Sequence, residues 1–149
     1  MFFAAEKDPG IIPHILTHIL DHCVNGVTLA DPDLPDMPIV YANEAFEKIT
    51  GYTREEVIGR NCRFLQGERR DEEAHARIRK AIADCQPIEI NLKNYKKNGE
   101  LFYNHLALTP LFDREGNLIY YLGIQYNVTE QTLAEQEVDR LSEELQKYQ

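Results

Sequence analysis

No apolar run in the chain approaches the ~20 residues that cross a bilayer, so a membrane-spanning protein is not expected. The first ten residues lack a basic end followed by an apolar stretch, which argues against a secretory signal peptide. No CxxC pair occurs. The three cysteines, Cys23, Cys62 and Cys85, are odd in number and widely spaced, so neither a disulfide framework nor a zinc site fits them. Reduced thiols, a cytoplasmic setting and no metal centre are the expectation. A positive excess is missing too. The net charge of −9 argues against nucleic acid or an anionic membrane as partner. A clustered arginine in such a chain therefore needs a local reason. No internal repeat or low-complexity segment is present, and 149 residues suffice for one compact domain with a genuine core.

Ile11, Ile12, Ile15, Leu16, Ile19 and Leu20 recur at helical spacing, with Pro13 early in the segment, and predict a short amphipathic helix. Residues 24–30 read as a strand running into a turn rich in Asp and Pro at 31–38, and Ile39, Val40 and Tyr41 as a second strand. Asn43 can cap a helix carrying Phe46 and Ile49 that stops at Gly51. Short helical turns are expected at 54–57 and 62–65. Asp71 opens a stronger helix through about Ala83, with Ala74, Ile78, Ala81 and Ile82 inward. Three strands follow, at 88–96, 100–112 and 117–128, joined by hairpin signals at Lys97-Asn98-Gly99 and at Asp113 to Asn117. Thr129 then starts a helix free of Gly and Pro. The order predicts an α+β fold: a five-stranded antiparallel sheet with helices on one face, flanked by N- and C-terminal helices.

Residues 59–67 read Gly59-Arg60-Asn61-Cys62-Arg63-Phe64-Leu65-Gln66-Gly67. This segment resembles the GxNCRFLQG signature of LOV photosensors, the flavin-binding branch of PAS domains, at every fixed position. The turn with Asp31-Pro32, Leu34-Pro35-Asp36 and Pro38-Ile39 is similar to the family's early turn, and the resemblance runs from about Val24 to Thr129. It implies a blue-light photoreceptor module that is not an enzyme. It also implies that Cys62 bonds reversibly to flavin carbon C4a after illumination, and that Asn61, Arg63, Gln66, Arg79, Asn94, Asn104, Leu106, Leu108, Tyr121, Gly123 and Gln125 bind the flavin. Departures are Gly26 and Ala30, where polar residues are common, Tyr103 for a frequent Trp and Tyr121 for a frequent Phe.

The same residues can be read by their chemistry. A flavin mononucleotide presents an anionic phosphate, a flat apolar ring and a polar ring edge. Arg63 and Arg79 suit the phosphate through paired charge-assisted hydrogen bonds, although Arg79 alone reads as a solvated surface residue. Two arginines for one phosphate favour FMN over FAD or riboflavin. Asn94, Asn104 and Gln125 suit the ring edge, because an amide both donates and accepts. A three-residue loop with left-handed Gly99 would put Asn94 and Asn104 on one face, whereas a two-residue loop would separate them. Leu106 and Leu108 would share the face of Asn104, and Tyr121 and Gly123 that of Gln125. Gly123 would let a flat ring approach the backbone. His75 and His105 read as surface or structural, and Cys23 and Cys85 as small buried hydrophobes.

Protonation of the flavin at N5 would turn an acceptor into a donor. Gln125 could answer by rotating its amide, passing the signal to the C-terminal helix. There Ala134, Val138, Leu141, Leu145 and Tyr148 alternate spacings of three and four, a heptad seam of about two heptads. A parallel coiled-coil homodimer through the terminal helices is favoured over a helix folded back on its own sheet. The organisation expected is an N-terminal helical cap over 1–22, the LOV core over 23–128 and a coiled-coil-like helix over 129–149. No effector follows Gln149, so a stand-alone short photoreceptor and a fragment of a larger signalling protein both stay open, with the partner or effector unknown. Rival readings are a redox or small-molecule PAS sensor, a plain interaction domain and, weakest, a thiol enzyme, for which no nucleophile–base–orienter set appears.

Overall fold

The computed structural model describes residues 14–67 and 71–148, and for 14–17 the backbone alone. Helix α1 spans His14–Asp21. The expected helix residues Ile11, Ile12 and Pro13 lie outside the described residues, as do the side chains of Ile15 and Leu16. Strands β1 (Gly26–Ala30) and β2 (Ile39–Ala42) follow, then α2 (Glu44–Thr50), α3 (Arg54–Val57), a 3-10 turn (Cys62–Gln66) and α4 (Glu72–Ala83). Strands β3 (Ile88–Tyr95), β4 (Leu101–Phe112) and β5 (Leu118–Asn127) lead into α5 (Thr129–Gln146). The five strands form one antiparallel sheet in the order β2-β1-β5-β4-β3. The expected α+β architecture is therefore present. β1 begins at Gly26 rather than Val24, which is 87% exposed and has no sheet to pack on.

Local chemistry sets the element ends. Asn43 caps α2 by accepting from the Phe46 N–H, and Gly51 closes the helix at φ 79° with its N–H on the Glu47 carbonyl. Asp71 caps α4 through the Ala74 N–H. The β3–β4 hairpin has the expected three-residue loop: Lys96 N–H bonds to the Glu100 carbonyl, and Gly99 sits at φ 89°.

The sheet has two unlike faces. One is covered by the helical connection between β2 and β3, where Ala74, Ile78 and Ile82 of α4 pack on Ile90, Leu92, Leu106 and Leu108. Beside them, Phe46, Val57 and Leu65 pack on Ile39 and Ala42. On the other face Leu20 of α1 joins Val27, Leu29, Tyr41 and Tyr120. Asn43 ties the layers together. Its Nδ2 donates to the Leu20 and Asn25 carbonyls, and its Oδ1 accepts from the Val27 and Phe46 N–H groups. Helix α5 buries none of its residues.

Candidate functional site

A cavity of about 210 Å³ lies between the sheet and its helical cover. Strand alternation aims one row of each central strand into it. From β4 come Asn104, Leu106 and Leu108, and from β5 Tyr121, Gly123 and Gln125. β3 contributes Leu92 and Asn94. The register explains why they meet: Leu106 pairs with Gln125, Leu108 with Gly123, and Leu92 with Asn104. The loop parity set by Gly99 brings Asn94 onto the face of Asn104, where Asn104 Nδ2 donates to Asn94 Oδ1 at 2.9 Å. Both amides are buried.

The opposite wall is the 3-10 turn and α4. Asn61, Cys62, Arg63 and Gln66 line it from the turn, and Arg79 from the helix. All twelve residues singled out from the sequence thus border one cavity. Asn61 does so with its amide already engaged. Its Oδ1 accepts from the Arg63 N–H, and its Nδ2 donates to the Asp36 carbonyl at 2.7 Å. It therefore holds the 3-10 turn against the β1–β2 connection, which passes through left-handed Asp36 and Met37. Arg63 forms an ion pair with Asp36 at the exposed rim.

Three acceptors lining the cavity, one from the turn and two from the sheet, are buried and unpartnered: Gln66 Oε1, Asn104 Oδ1 and Gln125 Oε1. Leaving such atoms dry costs about 1–3 kcal/mol each, so the cavity favours an occupant that brings donors. The Gln125 amide nitrogen reaches Thr28 Oγ1 at 3.4 Å. Burial pushes the Cys62 thiol up from its ordinary value, with nearby Arg63 opposing, so the sulfur keeps its proton at neutral pH.

Two expectations gain detail. His75, read as surface or structural, is half-buried and lines the cavity one turn before Arg79 on the same stripe of α4 as Ile78 and Ile82. Gly123 meets a second constraint besides ring approach. A Cβ there would meet Thr28 Oγ1 at 2.6 Å, because Thr28 is its cross-strand partner. Sequence reasoning also missed Thr28, Met37 and Ile39 in the wall. Parity along β1 would have offered Thr28, but only with the β1–β5 pairing known.

The flavin implied by the sequence resemblance can be tested against this wall. Apolar side chains on both sides accept a flat ring, three orphaned acceptors accept its N–H and O–H groups, and Arg63 and Arg79 offer positive charge. The residues fit.

Residues 24–130 match the PAS domain family. The blue-light photoreceptor of Listeria innocua is 43% identical over 122 residues, covering 82% of this chain and 48% of that protein. Among solved structures, the LOV domain of the Erythrobacter litoralis EL346 blue-light activated histidine kinase aligns with a TM-score of 0.67 at 46% identity. It covers 70% of this chain and 96% of that one. An RNA-binding light-oxygen-voltage receptor aligns with a TM-score of 0.83 at 36% identity over 97% of this chain and 42% of that one. The chain thus spans about half the length of the Listeria relative and of the RNA-binding receptor. With the family match over most of its length and the LOV signature on the cavity wall, the chain belongs to the PAS domains and, within them, to the light-oxygen-voltage sensory domains.

Proposed function

We propose that the chain is a blue-light sensor that holds FMN between its sheet and α4 and reports illumination through Cys62 and Gln125. The observation that carries this reading is the convergence of one protonated thiol and three unpartnered buried acceptors on a single cavity. When bound, the flavin supplies absorption of blue light and an electrophilic ring carbon. Cys62 would act without a base: it would present a protonated thiol to the ring, able to give up both sulfur and proton to it in the light and to regain both in the dark. The raised thiol value suits this chemistry, because the proton has to be on sulfur at the start. Asn94, Asn104 and Gln66 orient the ring and side chain of the ligand, and Arg63 with Arg79 hold its phosphate. Arg63 exchanges Asp36 for that phosphate.

Gln125 carries the report. Its amide has Thr28 as partner on the nitrogen side and none on the oxygen side, so it is free to exchange the two. Three residues later Val128 N–H bonds to the Tyr103 carbonyl, and Tyr103 N–H bonds to Thr129 Oγ1. These bonds join β5, β4 and the start of α5, so a turned Gln125 loads the joint from which α5 leaves. The output passes to a protein partner or a second copy.

The test is a dark and light absorption spectrum of the purified chain beside Cys62→Ala and Gln125→Leu. Wild type is expected to be yellow and to bleach reversibly under blue light. Cys62→Ala should stay yellow without bleaching. Gln125→Leu should bleach while losing any light-induced change at α5. A chain that binds flavin but bleaches equally well with alanine at 62 would overturn the reading.

A further inference from the structure

Three of the chain's five histidines, His14, His18 and His22, fall at spacings of four in one short segment. The first two lie within α1, and His22 directly follows its last residue. Four-residue spacing stacks side chains on one helical stripe. His18 and His22 are exposed, and their Nε2 atoms lie 3.2 Å apart with the rings nearly perpendicular at 85°. Two imidazole nitrogens that each hold one ion at ~2.05 Å in tetrahedral geometry sit about 3.3 Å apart. The pair therefore already holds its nitrogens at chelating separation, with no backbone movement required.

We propose that His18 and His22 form a binding site for a borderline divalent transition ion, of which Zn²⁺, Cu²⁺ and Ni²⁺ are the candidates. Imidazole nitrogen suits these ions, whereas Mg²⁺ and Ca²⁺ require oxygen. The ring that now donates its Nε2 proton shifts that proton to Nδ1. Both Nε2 atoms then present a lone pair to the ion, and no proton is lost. Among the described residues, the adjacent carboxylate and thiol are engaged elsewhere. Asp21 is held by Arg54 at 3.0 Å, and the Cys23 Sγ points back to the Ile19 carbonyl at 3.4 Å. Water completes the coordination.

The position gives the ion something to act on. The last turn of α1 is where the helix meets the domain, through the Leu20 side chain and through the Leu20 carbonyl that accepts from Asn43. An ion bridging His18 and His22 clamps that turn in helical form and holds α1 on the sheet.

The experiment is calorimetric titration of ZnCl₂ and of NiCl₂ into the full chain, beside His18→Gln, His22→Gln and Cys23→Ser. Both histidines are exposed, and an unchanged metal-free melting temperature shows that the variants fold. One ion per chain is expected in wild type and in Cys23→Ser. Affinity should be weaker by about tenfold or more in each histidine variant, because a chelate becomes a single ligand. The melting temperature should rise with the ion only where the pair is intact. Wild-type chain that binds neither ion, histidine variants that bind as wild type does, or binding lost with Cys23→Ser would each overturn the proposal.

Discussion

Thr28 and Gly123 face one another across β1 and β5, and the space between them has room for one side chain. Gly123→Ala would drive a methyl to 2.6 Å from Thr28 Oγ1 and to 3.0 Å from Gln125 Nε2. The expected cost is about 1–3 kcal/mol in thermal or denaturant unfolding, together with a displaced Gln125. Thr28→Ala in the same chain should recover part of that loss, giving a coupling that the two single changes do not sum to. Strictly additive losses would show that the two residues do not compete for this space. The residue scale also separates what was legible from what was not. Cys62, Arg63 and Gln66 announce themselves inside one contiguous motif. His75 and Thr28 do not, since each matters only for what a distant strand or helix places opposite it.

At the scale of the elements, α1 and β2 meet over a buried phenol. Burial, with the Asp21 carboxylate adding and Arg54 opposing, pushes the Tyr41 hydroxyl up to about 12. Tyr121 is likewise pushed up to about 12, by burial and then by Cys85. A phenol that holds its proton more tightly in the folded state stabilises the fold fully below about pH 10, its unfolded value. That stabilisation is lost as pH rises from about 10 to about 12. Urea unfolding followed across this window should show stability falling steadily, and the fall should be shallower in Tyr41→Phe. An equal slope in the variant would mean that another group dominates. The elements themselves were the most readable part of the chain. Asn43, Gly51 and Asp71 are caps whose chemistry is local, whereas the odd length of the Gly99 loop followed from requiring Asn94 and Asn104 on one face. The true start of β1 was not readable, because Val24 has a strand-like side chain but no partner strand beside it.

Among the described residues, α5 leaves an apolar stripe uncovered. Val138, Leu141 and Leu145 of α5 are 61%, 44% and 66% exposed, with Tyr148 beyond them. Helix α5 touches its own sheet near its start, where Thr129 and Gln136 meet Tyr103. A second copy that pairs along this stripe is the partner proposed here, and Leu141→Glu puts a charge into the seam. Sedimentation or light scattering should show a dimer in wild type and a monomer in that variant, with the flavin-binding core unaltered; a wild-type monomer at high concentration would remove the dimer. The sequence alone determined the α+β order, the caps and turns, and the motif that names the family, because these depend on neighbours along the chain. Only the tertiary structure decided that Asn94, Asn104, Gln125, Cys62 and Arg79 border one cavity. It also decided that Thr28 crowds Gly123 and that His75 joins the wall. Those facts depend on β1 pairing with β5 across most of the chain, and a contact between remote residues is written in no local pattern.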